Sequence, residues 1–133
     1  MTNSEREKIL LNYLEANVAP ILVESNSIKN FKNMVSIDGD CSVGVLNGHY
    51  EGKEFVAPSW YNELITFNNK KSVLMINNIN SANLNDQSKF IEILKYRKIN
   101  TFELPSNCVV IATYTDLKSK PINEEVYSLF AHI

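Results

Sequence analysis

The sequence is poor in glycine, in cysteine and in clustered charge. Only four glycines and two cysteines occur among 133 residues. The cysteines, Cys41 and Cys108, lie far apart and form no Cys-x-x-Cys spacing, so the sequence indicates neither a zinc site nor a redox motif. Lysine and arginine are scattered along the chain, and the net charge is −2. This pattern predicts no binding of nucleic acid and no attraction to an anionic membrane.

Long apolar runs are also missing. No stretch approaches the roughly 20 apolar residues that a membrane-spanning helix requires. The first residues, 1–8, are polar and include acids, which is unlike a signal peptide. We therefore expect a cytoplasmic protein. The length fits one domain covering residues 1–133, since domains cluster around roughly 100–150 residues.

What the chain does contain is an alternation of short apolar runs and amphipathic segments. The apolar runs predict strands at 21–23, 34–37, 72–76, 109–113 and 130–133. The amphipathic segments predict helices at 4–17, 28–33, 59–67, 83–96 and 122–128. All four glycines fall between Asp38 and Pro58, where we expect a long loop or hairpin, and a brief extended piece follows at 98–104. The alternation predicts an α/β fold with a mostly parallel sheet.

Three segments, in this order and spacing, resemble the AAA+ ATPases of the MoxR and dynein-related group. Residues 56–60 (VAPSW) are similar to the stretch before the Walker B strand, and residues 73–82 (VLMINNINSA) to that strand and its turn. Residues 104–133 resemble the sensor 1 strand and the helix that normally ends in an arginine finger. The resemblance covers about residues 56–133. It implies a P-loop NTPase-like αβα sandwich of three layers with about five strands, and here we expect no helical lid.

The turn after the first strand stands where this family has its phosphate-binding loop. By position, Lys29 and Asn30 match the lysine and the serine or threonine of that loop. A phosphate loop needs glycines that expose backbone N–H groups, and none occurs between Glu24 and Asn30. Glu24 also brings a negative charge. An ordinary polar turn is favoured, and residual phosphate binding through Lys29 stays open.

The Walker B positions are occupied by amides. The family's Asp, which positions Mg²⁺, and its Glu, which activates water, match Asn77 and Asn78. An amide is a poor ligand for a hard cation and is not basic enough to take a proton from water. Thr115 stands at the sensor 1 position beside Tyr114, and Leu129 replaces the arginine finger. The resemblance therefore implies that ATP hydrolysis has been lost.

The leading hypothesis is a non-catalytic AAA+-like domain that acts through protein contacts, either with another protein or with copies of itself. It has no catalytic residue, no metal site and no expected cofactor. Two alternatives remain open: a regulator that binds ATP or ADP without turnover, with Mg²⁺ if the vestigial site persists, and a divergent ATPase whose catalytic acid comes from elsewhere. Trp60, with Tyr61 and Phe55, is either a binding patch or part of the core, and core packing is favoured.

Overall fold

A parallel β-sheet forms the centre of the structure. A computed structural model of the chain describes residues 20–27 and 31–132. The main sheet has five strands: β1 (Ile21–Glu24), β2 (Met34–Asp38), β5 (Ser72–Asn77), β8 (Cys108–Tyr114) and β9 (Ala131–His132). They lie in the order β2-β5-β8-β1-β9, and every neighbouring pair is parallel. The predicted α/β class and the parallel sheet of about five strands are thus confirmed.

Both faces of this sheet are buried. Side chains alternate along each strand, and the first face carries Leu22, Val35, Ile37, Leu74, Ile76, Val110 and Ala112. The second face carries Ile21, Val23, Val73, Met75, Val109 and Ile111. None of these side chains is more than 6% exposed. Burial on two faces explains why the strands read as continuous apolar runs in the sequence.

The described helices pack on the first face. They are α1 (Val43–Asn47), α2 (Ser59–Ile65), α3 (Leu84–Gln87), α4 (Ile91–Tyr96) and α5 (Glu124–Ser128). Their contribution to the core, with a 3₁₀ turn at Ser88–Phe90, comes from Leu46, Trp60, Leu64, Phe90, Ile93, Leu94 and Val126. On the second face the described residues that pack against the buried cluster are Phe31 and Met34. The three-layer arrangement therefore stays a prediction. The buried second face is compatible with it.

The segment predicted as a loop or hairpin contains both a helix and a hairpin. Strands β3 (His49–Glu51) and β4 (Glu54–Val56) form an antiparallel hairpin, as one of the two expectations had it. The expectation that Gly44 lies in a loop is wrong, because Gly44 is part of α1. The Oγ of Ser42 accepts a hydrogen bond from the Val45 amide at 3.2 Å, and Leu46 is completely buried. This cap and this burial outweigh the low helix propensity of glycine.

The long helix predicted at 83–96 is divided into two short ones. The side chain of Asn83 caps α3 by accepting from the Asp86 amide at 2.9 Å, and Ser88 Oγ donates to the Asn85 carbonyl at 2.6 Å. Such local side-chain bonds compete with the regular helix and allow the 3₁₀ turn between α3 and α4. Leu84 is 46% exposed because it opens α3 at the surface.

The remaining predicted elements have different outcomes. The extended piece at 98–104 is a second hairpin of β6 (Lys98–Ile99) and β7 (Phe102–Glu103). The helix predicted at 4–17 lies outside the described residues, and so does 28–30 of the helix predicted at 28–33; residues 31–33 are not helical. Across the described ranges, no helix has both the length and the hydrophobicity that crossing a membrane requires.

The two leucines of β5 and α3 provide a matched test of this core. Leu74 is 0% exposed in the central part of the sheet, whereas Leu84 is 46% exposed. We expect Leu74→Ala to lower the free energy of unfolding by about 3 kcal/mol, since it leaves a cavity between packed layers. Leu84→Ala should change it by less than about 0.5 kcal/mol. Urea unfolding of both variants measures the difference, and equal losses would contradict the described core.

Candidate functional site

The carboxyl ends of the parallel strands meet at one edge of the sheet, and this edge holds most of the positions singled out in the sequence. Asn77 ends β5 and lies in register with Asp38 at the end of β2. Glu24 ends β1 in register with Tyr114, and Thr115 follows directly. In open α/β sheets, ligands bind at this edge. Lys29 and Asn30 lie outside the described residues, so the phosphate-loop match stays a prediction.

Asn78 is fixed in a hydrogen-bonded turn. Its φ of 49° is left-handed, a conformation that asparagine tolerates better than most residues. Its backbone N–H donates to Thr113 Oγ1 at 2.8 Å, which ties the end of β5 to the end of β8. The N–H and Oγ of Ser81 both donate to the Asn78 carbonyl, at 2.9 and 2.8 Å. Its Oδ1 is buried and, in the described part of the chain, meets no donor. A neutral, buried acceptor therefore lies directly after β5.

The loop after β2 closes tightly against this turn. The Gly39 amide donates to the Asn77 carbonyl at 2.7 Å. A Cβ atom placed on Gly39 would lie 2.1 Å from the carbonyl oxygen of Asn78. Only glycine allows the two backbones to approach this closely. The loop thereby fixes the position of both amide residues from the β2 side.

The buried side-chain amide of Asn80 fixes the backbone of Thr115, the residue matched to sensor 1 by resemblance. Asn80 is 2% exposed, and its Nδ2 donates to the carbonyls of Thr115 at 2.5 Å and Lys120 at 2.7 Å. The Thr115 amide donates back to Asn80 Oδ1 at 3.4 Å. The side chain of Thr115 is exposed. The structure thus brings Asn77, Asn78 and Thr115 to one edge and fixes the Thr115 backbone.

A second buried amide was missed by reasoning from the sequence. Gln87 is 0% exposed; its Nε2 donates to the carbonyls of Ala82 at 3.0 Å and Pro121 at 3.1 Å. Its Oε1 accepts from the Asn123 amide at 2.7 Å. A signal existed, because Gln87 stands four residues before Ile91 on the same helical side. Asn80 lies in an irregular turn that offers no such periodic signal.

Two other positions matched to the family face inward. Tyr114 and Leu129 are half-buried and pack against the core cluster of the first face. Leu129, at the arginine-finger position, therefore contributes to the fold of α5. Trp60 is 4% exposed and its Nε1 donates to the Leu46 carbonyl at 2.9 Å, which confirms the core-packing interpretation.

Charges of both signs lie at this edge. Glu24, Asp38, Asp40 and Asp116 follow or end three of the strands, and Lys118 and Lys120 follow β8 in the same segment as Asp116. Burial raises the pKa of the Cys41 thiol, although nearby Lys89 opposes the shift, and Lys89 Nζ donates to the Cys41 carbonyl. Cys41 is therefore held as a thiol near neutral pH.

Potential metal ligands and the second cysteine lie among the described residues. Within residues 20–27 and 31–132, no group of three or more His, Cys, Asp and Glu side chains is placed to hold a metal ion. Cys108 is fully buried, and burial raises the pKa of its thiol, as expected for a small core residue.

Neither a scan against models of protein families nor a search of curated proteins found a match to this chain.

Two glycines provide a matched test of the closed loop at this edge. Gly39→Ala should lower the free energy of unfolding by about 2–4 kcal/mol, because the new methyl group would overlap the Asn78 carbonyl and the backbones must separate. Gly44→Ala, where the nearest atom to a Cβ is Ser42 Oγ at 3.9 Å, should stabilise α1 by up to about 1 kcal/mol. Thermal unfolding compares the two; a harmless Gly39→Ala would contradict the close approach.

Proposed function

We propose that this chain is a catalytically inactive, AAA+-like domain of P-loop NTPase type that acts through protein contacts in the cytoplasm. The observation that carries the proposal is the end of β5. Its last residue, Asn77, and the residue that follows it, Asn78, are uncharged amides, and Asn78 stands in a turn fixed by hydrogen bonds to Thr113 and Ser81. Such a turn supports the proposal of a Walker B-like segment without the charges of that motif.

The arrangement of the strands supports the family proposal. Three strands carry the positions matched to the phosphate loop, sensor 1 and Walker B: β1, β8 and β5. They are neighbours in the sheet, with β8 between the other two. Because all are parallel, the carboxyl ends of these three strands meet at one edge. A nucleotide site of this family requires that convergence, and an unrelated order of strands would have separated them.

The chemistry of the edge supports the absence of turnover. Hydrolysis of ATP needs Mg²⁺ held by a carboxylate and a water activated or oriented by a polar group. Asn77 and Asn78 have no negative charge to hold the cation and no basic oxygen to take the proton. Glu24 and Asp116 add negative charge without occupying the matched positions. Asn77, which lacks the charge that hydrolysis requires at this position, still pairs with Asp38 in the sheet.

Exposed apolar and aromatic side chains support protein contacts. A groove of about 300 Å³ beside α5 is lined by Leu117, Pro121, Ile122, Glu124 and Tyr127. Tyr127 is 43% exposed there. Tyrosine is enriched in protein interfaces, since it combines a large apolar surface with a polar tip. By resemblance, α5 is the helix that faces a neighbouring subunit.

An aromatic row gives the surface a second apolar region. It runs from buried Trp60 through Tyr61, Phe102 and Phe55 to Tyr50, with ring centroids 5.1–6.0 Å apart. It packs the hairpin β3–β4 against the hairpin β6–β7 and α2. Tyr50, at its outer end, is 72% exposed. The packed rings of the row therefore support the solvent-exposed ring of Tyr50, which suits a contact residue.

Calorimetric titration of the whole chain with ATP and with ADP, each with and without Mg²⁺, tests the loss of nucleotide function. We expect no heat at millimolar nucleotide, because residues 24–30 contain no glycine to form a phosphate loop. We also expect no phosphate release above buffer, because the edge lacks both catalytic groups. Lys29→Ala is the control. Low-micromolar binding, roughly −8 kcal/mol, that Lys29→Ala abolishes would overturn the proposal in favour of a nucleotide-binding regulator. Phosphate release that Lys29→Ala leaves unchanged would indicate contamination.

Sedimentation of the same sample over a range of concentrations tests whether the proposed protein contacts join copies of this chain. A mass that rises with concentration would show that copies of the chain associate, and a constant mass would direct the search to another protein.

A further inference from the structure

The segment between β8 and α5, residues 115–122, is attached to the rest of the described chain in an unusual way. Internally it forms a turn in which the Asp116 carbonyl accepts from the amides of Ser119 and Lys120, at 3.2 and 3.0 Å. Within residues 20–27 and 31–132, the hydrogen bonds that reach it from other elements come from two side chains, Asn80 and Gln87. In these residues, no ladder of backbone hydrogen bonds joins the segment to another element.

Both amides are buried, and each has its nitrogen and its oxygen hydrogen-bonded. Each donates two hydrogen bonds through its nitrogen and accepts one through its oxygen. A buried amide that loses its partners carries a large desolvation penalty, so two satisfied amides hold the segment firmly in place. Removal of their hydrogen-bonding capacity should, by the same reasoning, free it.

The segment itself buries little. Thr115, Asp116 and the stretch 118–121 are exposed, while Leu117 and Ile122 are half-buried. Few buried apolar contacts and a dependence on side-chain bonds are the features of a unit that opens locally at low free energy. The adjoining strand β8, by contrast, has Cys108 to Thr113 buried and pairs on both sides.

We propose that residues 115–122 form a strap across the carboxyl edge, that Asn80 and Gln87 are its latch, and that release of the latch opens the strap as a unit while the sheet stays folded. Pro121 borders grooves on both sides of the strap: the one beside α5 and another of about 360 Å³ lined by residues 80–84 and 119–121. Opening changes both grooves and moves Thr115. The inference does not depend on the proposed function, because it concerns contacts present in the chain alone.

Limited trypsin digestion of the whole chain reads the strap directly. The bond after Lys118 lies in the strap, whereas the Lys120–Pro121 bond resists trypsin because of the proline. Bonds after Lys70 and Lys71, in an exposed turn before β5, serve as internal references. Cleavage tracks the population of the open form when opening and closing are fast compared with cleavage.

Asn80→Asp keeps the shape of the side chain and turns its donating nitrogen into an oxygen that faces the carbonyls of Thr115 and Lys120. We expect cleavage after Lys118 to become at least about tenfold faster, with cleavage after Lys70 and Lys71 unchanged. Asn85→Asp, the same chemical change at an exposed position of α3, should leave both rates unchanged.

A rate after Lys118 that stays within twofold of Asn85→Asp would overturn the proposal. If Asn80→Asp unfolds the chain, so that both regions are cleaved together, Gln87→Met decides. It keeps the length of the side chain and its burial but removes the hydrogen bonds. Selective cleavage after Lys118 in Gln87→Met supports the latch; equal acceleration at all three lysines, or none, refutes it.

Discussion

Burial of β5 and β8 on both faces is the constraint on which the rest of the structure depends. Their side chains form two apolar clusters, one on each side of the sheet. An unpaired polar group within such strands would lose its hydration without compensation, so polar chemistry is confined to the strand ends. The carboxyl edge collects it, because all the strands are parallel. Asn77, Asn78, Thr113 and Thr115 therefore come together even though they lie far apart in sequence.

The same constraint explains why amides suit this edge. A carboxylate half-buried beside Asp38 and close to other acids would need a cation or donors to offset its desolvation. An amide carries no charge, so its desolvation costs less, although the buried Oδ1 of Asn78 meets no donor within the described residues. The turn after β5 is therefore held by hydrogen bonds of the Asn78 backbone to Thr113 and Ser81 and not by a charged group.

The strands could be predicted from the sequence because double burial leaves a local signature. The runs at 21–23, 72–76 and 109–113 each became a strand with ends shifted by one residue or less. The division of 83–96 could not be predicted, since it depends on which side chains bond to the local backbone. Hairpin pairing within the glycine-containing segment was anticipated, whereas α1 was not, because Ser42 and Leu46 give only a weak local signal.

The candidate site was predictable only in part. The resemblance pointed to Asn77, Asn78 and Thr115, and the sheet places them at one edge. The hydrogen bonds that join Asn80 and Gln87 to residues 115–123 span 34 to 40 residues, and no local pattern encodes partners at that separation. The requirement for glycine at position 39 could not be predicted from the sequence. It arises from contact with the backbone 39 residues later, which depends on the pairing of β2 with β5.

The left-handed turn at Asn78 belongs to a wider pattern in the described chain. Non-glycine residues with positive φ occur at Asn68, Asn78, Arg97, Asn100 and Asp116, and three of the five are asparagine. Asparagine thus does much of what glycine does elsewhere. A residue with a Cβ has fewer conformations in the unfolded state, so less entropy is lost when its turn forms. A chain this sparing in glycine therefore gives up less backbone entropy at its turns when it folds.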